Sequence, residues 1–248
     1  MARSCLGRPG WRDDLRHGIA MARSADPLTY AAVVVWSYFP GIPNGALAAD
    51  DRAVREIEGA LRIAERSGND MALAFTQTAL GIALVHRQTA AERGRGQTLL
   101  AGVSDVFEHQ RHNLGDRPLV DVYVARERAR RGARDEAIQL MRASTDRLVR
   151  DGQLPAWGTP ATGVLVETLL DRGADGDVAE AEAAIERLAA ASTDDGLAIR
   201  DILLLRLRAL LARARDDAAA YADFRDRYRD MARTLDFEGH VALADAMP

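Results

Sequence analysis

The sequence predicts an all-α fold, an α-solenoid of antiparallel helix hairpins with about five repeats, on three observations. Aromatic residues are scarce at 5% while alanine is abundant, which favours close-packed helices over a β-sandwich built from Val, Ile, Thr and aromatic side chains. Apolar residues recur at the spacing of one helix face. That spacing itself returns at a near-constant interval along the chain.

Residues 1–10 are read as a flexible N-terminus and 11–248 as a single domain. The first apolar segment, "LTYAAVVVWSYF" (28–39), opens with Asp26 before Pro27, a cap followed by proline in the first turn. An irregular loop, "PGIPNGALAAD" (40–50), follows. Val54, Ile57, Leu61 and Ala64 then form the first apolar stripe, stopped at Gly68. "MALAFTQTALGIALV" (71–85) is apolar all round, and Leu100, Val103 and Phe107 give a shorter stripe that lapses at Gln110. Asp116, shortly before Pro118, opens "LVDVYVARERARR" (119–131), which Gly132 ends; the stripe Ile138, Met141, Thr145, Leu148 comes next. Thr159 before Pro160 opens "ATGVLVETLLDR" (161–172), which ends at Gly173. A stripe of Val178, Ala181, Ile185 and Leu188, the apolar "AIRDILLLRLRALLARA" (198–214), and a last stripe of Tyr221, Phe224, Tyr228 and Met231 complete the order.

From first position to first position the five stripes are offset by 46, 38, 40 and 43 residues. Two helices per unit of about 42 residues describe an array of the tetratricopeptide-like kind, longer than the ~34-residue strict repeat and degenerate in signature. One hairpin cannot bury both faces, whereas stacked hairpins share a continuous core.

One stretch offers a rival reading. In "GADGDVAEAEAAIERLAAA" (173–191), Asp175, Asp177 and Glu186 sit at the first, third and twelfth positions of a calcium-loop frame. The fifth position is Ala179 and the sixth Glu180, so an oxygen ligand and the glycine that turns the loop around the ion are both missing. The stretch reads instead as a Gly-rich turn in which Asp177 caps the next helix and Glu186 faces outward. No metal is assigned.

The chain has no lysine; all 33 basic residues are arginine, and the net charge is −4. A nucleic-acid binder would be basic, so none is expected as partner. Lone Cys5 excludes an intramolecular disulfide and a cysteine zinc site. "MARSCLGRPGW" lacks the apolar run of a signal peptide, and no segment offers the ~20 unbroken apolar residues of a membrane span, so a cytoplasmic protein without membrane contact is expected.

No Walker loop, dinucleotide glycine fingerprint or Gly-x-Ser-x-Gly elbow appears, so no catalytic or cofactor-binding residue is assigned and no enzyme activity expected. Glu108, His109 and His112 in "EHQRHN" lack a third ligand at a recognisable spacing and read as a solvated helix end; His240 reads as a packing or surface residue. The run "RERARRGAR" (126–134) sets five arginines against Glu127. It fits either a helix end favoured by the macrodipole or an anion-binding patch. If a groove exists, Tyr123, Arg126 and Arg130, spaced 3 and 4 apart, point the same way, as do Arg206 and Arg213 on the later helix; these five are the candidate partner-binding residues.

"VDVYVARERARRGARDEAIQLMRA", "PATGVLVETLLDRGADGDVAEAEAAIERLAA" and the stretch from "LLLRLRALLARARDD" to the C-terminus carry a further resemblance. They resemble the C-terminal helical region of actinobacterial, chiefly mycobacterial, multidomain signalling proteins. There a class III adenylate or guanylate cyclase domain precedes a regulatory ATPase module and a tetratricopeptide-like array, in some members followed by a LuxR-type DNA-binding domain. The resemblance runs from Trp11 onward and implies a free-standing or truncated copy of the sensor and scaffold portion. The cyclase's metal-binding aspartates and the ATPase's phosphate loop lie in parts this chain does not contain, so no catalytic residue carries over. The expectation is a scaffold or regulatory module that binds a protein partner, possibly a cyclase or ATPase domain. The alternative is a small-molecule or peptide sensor domain.

Overall fold

The computed structural model describes residues 2–110, 115–191 and 196–248, with backbone alone over 108–110. Among the described residues there are thirteen α-helices, one short π-helix and no strand. None of these helices is long and apolar enough to cross a membrane. Glu108, His109 and His112 lie outside the residues whose side chains are described.

Two short N-terminal helices, α1 (Ala2–Cys5) and α2 (Trp11–Arg23), precede five helix pairs. These are α3 (Pro27–Gly41) with α4 (Asp51–Ser67), α5 (Asp70–Val85) with α6 (Ala90–Gln110), and α7 (Arg117–Arg130) with α8 (Arg134–Arg150). A π-helical turn, Leu154–Gly158, leads into α9 (Thr159–Arg172) with α10 (Asp177–Ala189); α11 (Ala198–Ala214) with α12 (Ala218–Leu235) follow, and α13 (Glu238–Asp245) ends the chain. The first helix of each pair also touches the first helix of the next, α3 to α5 to α7 to α9 to α11. Those inner helices are buried on most sides. The outer ones bury single stripes, such as Ala53, Ile57, Ala60 and Ala64 on α4, or Ala181, Ala184, Ile185 and Leu188 on α10.

Local chemistry sets the boundaries. Asp26, Asp50, Asn69 and Asp217 cap α3, α4, α5 and α12, each side chain accepting from the amide three residues on at 2.8–3.0 Å. Gly68 and Gly173 end α4 and α9 in the left-handed conformation. Three expected caps differ. Asp116 makes no side-chain cap bond, and the Thr159 hydroxyl donates back to the Leu154 and Pro155 carbonyls at 3.2 Å. Gly176 occupies the cap of α10, while Asp177 is buried in its first turn, accepting from Ala174 N (2.8 Å) and from both ends of the Arg172 guanidinium (2.9 and 2.6 Å). A bidentate arginine outcompetes a single cap bond for that carboxylate. On α12 only Tyr228 of the expected stripe is fully buried; Tyr221 and Phe224 are half-buried beneath Arg225 and Arg227.

The succession of pairs curls until its two ends meet. Within the first ten residues α1 packs on α11. Trp11 donates from its indole nitrogen to Leu235 O (3.0 Å) and meets Phe237 edge-on, and Arg12 pairs with Asp236 (2.5 Å) and Glu238. Further along, the loop after α3 hydrogen-bonds the start of α13: Glu238 N to Ala46 O (3.2 Å) and His240 N to Gly45 O (3.0 Å). Across the middle, Phe39 of α3 packs against Trp157 at a tilt, with 4.8 Å between ring centres.

Glycine makes this closure possible. A Cβ on Gly239 would lie 2.9 Å from Gly45 O and 3.1 Å from Leu47 O, and Gly45 itself sits at φ 64° against the His240 ring. Backbone cannot retreat the way a side chain can. We expect Gly239→Ala to lower unfolding free energy by about 1–3 kcal/mol. Gly59→Ala, on the open face of α4, should be neutral or stabilising by up to ~1 kcal/mol, both read by urea denaturation. Equal effects at the two sites would refute a closure held by backbone contact.

Candidate functional site

The inner helices leave a cavity between them. Its inner chamber, about 540 Å³, is walled by the C-terminal end of α5, by α7, α9 and α11, and on the far side by the loop after α3 and by α13. An outer chamber of about 550 Å³ adjoins it between the C-terminal halves of α7, α9 and α11. Arg126, Arg130, Val164, Glu167 and Arg206 line both.

The helical period puts these residues together. Tyr123, Arg126 and Arg130 follow one face of α7, and Arg206 and Arg213 follow one face of α11. Between them α9 presents Gly163, Val164, Glu167 and Asp171. Gly163 lets Leu203 of α11 come close, since a Cβ there would meet its methyls at 3.2 Å. All five residues singled out from the sequence therefore border this cavity: Tyr123 the inner chamber, Arg126, Arg130 and Arg206 both, and Arg213 the outer. Arg128 and Arg131 of the same basic run line neither chamber.

Seven arginines and three carboxylates line the two chambers, in a chain whose net charge is −4. Five of those seven cations are already engaged. Arg87 holds Asp51 and Glu92, Arg130 pairs with buried Glu127, which Arg93 approaches at 3.6 Å, Arg134 pairs with Asp171 (3.5 Å), and Arg206 pairs with Glu167. Arg126 differs. It donates to Val85 O (2.9 Å) and lies 5.3 Å from the Tyr123 ring, but no carboxylate pairs with it among the described residues, and its Nε is buried without an acceptor. Arg130 reaches the same Val85 carbonyl at 3.3 Å. Two guanidiniums thus gather at the C-terminal end of α5, where the helix dipole favours cations.

The field of this cluster shows in its neighbours. Burial and the Arg130 charge push the Arg126 pKa down, though arginine's high starting value keeps it a cation. Burial works against ionised Glu167, but Arg206, with Arg126 and Arg130 behind it, outweighs burial and holds its carboxyl below the usual range. His86 donates from Nδ1 to Ile82 O (2.8 Å), the role a carbonyl partner requires, and faces Tyr123 at 5.1 Å between rings. Burial, then Arg126 and Arg130, pull its pKa down to about 3. His240 accepts from Tyr228 OH (2.8 Å) at Nδ1 and donates from Nε2 to Asn44 O (3.1 Å). Burial and Arg206 pull it to about 3 as well.

Sequence reading missed Glu167, His86 and the clasping role of His240. Glu167 has a visible signal, a carboxylate in the middle of an apolar run; His86 and His240 have none. Among the described residues no group of three or more His, Cys, Asp or Glu could hold a metal. The arrangement suits anion binding with an apolar wall opposite. No family model, no curated protein and no solved structure matches the chain.

Two histidines kept neutral tie stability to pH. Their folded pKa values, about 3, lie below the ordinary ~6.5, so between these limits the unfolded chain takes up protons the native one refuses. Stability is full above ~6.5 and falls on acidification, by about 2 kcal/mol per histidine from pH 7 to pH 5. Urea denaturation at the two pH values should show this drop, and His86→Gln should shrink it by roughly half that paired effect. An unchanged pH dependence in His86→Gln would contradict the assignment.

Proposed function

We propose that the protein is a non-enzymatic, tetratricopeptide-like helical-repeat module, an α-solenoid of five hairpins, that binds a small molecule or peptide in the chamber between its inner helices and acts as a sensor. The observation that carries this reading is an inner chamber of about 540 Å³ bordered by elements from both ends of the chain. That size is typical of small-molecule sites, and convergent polar groups facing an apolar wall are their usual lining. A ligand touching α7, α9 and α11 on one side and α13 on the other would bias the stacking of the hairpins and the closure of the ends together. Supporting the repeat reading are five successive helix pairs that touch through their first helices. The link to cyclase- or ATPase-based signalling in the cytoplasm rests on the resembling sequence stretches alone.

A ligand that binds only the folded state must raise the melting temperature. A thermal-shift screen of metabolite classes should therefore find one class that stabilises in a concentration-dependent way. A screen in which no class does so would overturn the sensor reading.

A second reading, a scaffold for a protein partner, is favoured by one feature. Trp36 (47% exposed) and Met71 (50% exposed) flank Phe75, whose ring lies 5.2 Å from that of Trp36, on the side formed by α3 and α5. Exposed aromatic side chains of this kind anchor protein interfaces. If this face is used, Trp36→Ser should abolish capture of a cyclase or ATPase domain while leaving the thermal-shift response to small molecules intact. Capture that survives Trp36→Ser would rule this face out as the docking surface.

A further inference from the structure

The balance of charge in the chamber narrows what it can hold. Three guanidiniums line both chambers. Two are paired with carboxylates, Arg130 with Glu127, which Arg93 also approaches at 3.6 Å, and Arg206 with Glu167. The third, Arg126, has a backbone carbonyl, an aromatic face and a buried Nε with no acceptor. An arginine carries five N–H donors and keeps its charge when enclosed, so this corner is short of one negative charge and of acceptor oxygens. Glu167 and Glu127 act on Arg126 only from a distance, since their hydrogen bonds go to Arg206 and Arg130.

The opposite wall has the other character. Ile42 and Leu47 from the loop after α3 and Leu243 from α13 face the space from that side, and Leu203 of α11 borders it one turn from Arg206. Leu243 is 41% exposed, an apolar side chain left partly uncovered beside the cavity. Cation at one end and apolar surface at the other call for a ligand built the same way.

Resting on the sensor reading of this chamber, we propose that its ligand is an amphipathic organic monoanion, a carboxylate on an apolar body, with the carboxylate on Arg126 and the body against Leu47, Leu203 and Leu243. The carboxylate matches the planar fork of a guanidinium. Arg130 and Arg206 add to the field without being stripped of their partners, and Arg213 in the outer chamber adds a cation on the way in, whereas Arg134 there is offset by Asp171 at 3.5 Å.

Three probes separate the parts: octanoate, which has head and body, acetate, which has the head alone, and octan-1-ol, which has a body and a neutral head. Calorimetric titration of the full chain below the micelle concentration should show octanoate binding at least about tenfold tighter than either of the others. Arg126→Gln should remove that preference and leave octanol binding unchanged, while Arg126→Lys retains part of it. Leu243→Trp, which fills the apolar end without touching Arg126, should abolish octanoate binding and so keeps the test open if Arg126→Gln fails to fold. Octanol binding as tightly as octanoate, or octanoate affinity unaltered in both Arg126→Gln and Leu243→Trp, overturns the proposal. A metabolite screen positive for neutral or cationic compounds, with octanoate silent, overturns this proposal and leaves the sensor reading standing. Silence in both experiments removes the two together.

Discussion

Everything enclosed in this molecule depends on the approach of Gly239 to the Gly45 carbonyl. A side chain at either position would strike backbone or the His240 ring, and the two ends of the chain would part. His240 turns that approach into a fixed contact. Its ring bridges Tyr228 on one side and Asn44 on the other, using one nitrogen as acceptor and the other as donor. Only the neutral ring can do both, so the burial that denies it a proton also preserves the bridge. With the ends joined, residues of the loop after α3 and of α13 stand opposite α7, α9 and α11; parted, they would leave an open groove.

The inner surface follows from this enclosure. Arginine side chains that would be solvated on an open helix end are instead gathered around the Val85 carbonyl at the end of α5; buried Glu127 pairs with Arg130, and, against burial, the half-buried Glu167 carboxyl is held below its usual range by Arg206, Arg126 and Arg130. Such a cluster is neither a set of surface salt bridges nor a dry ion pair. Water reaches it through the cavity, yet protein surrounds it, which is the setting in which a single extra charge is strongly felt.

What could be read from the sequence was what repeats locally. The stripe Val54, Ile57, Leu61, Ala64 and its successors announce helices because 3.6-residue periodicity is written in neighbouring positions. The convergence of Tyr123, Arg126 and Arg130 with Arg206 and Arg213 was legible for the same reason, being two helix faces described separately. That those faces enclose a chamber was not. The contacts that close it join residues nearly two hundred positions apart, as Asn44 and His240 are, and nothing near either residue marks the other. Glu167 was readable only as an oddity in an apolar run. Asp177 misled because an aspartate after Gly-rich sequence has the look of a cap, whereas Arg172 five residues earlier claims it.

The Trp11, Gly45, Gly239 and His240 contacts bear on how the molecule comes apart. In a linear stack of helix pairs the terminal pair has a neighbour on one side only, so it melts first and the damage spreads inward. Here α1, the start of α2, the loop after α3 and α13 tie the two ends to each other. Local opening at either end must first break a contact reaching to the other end, which removes the easy starting point for fraying and makes denaturation of the array an all-or-none event.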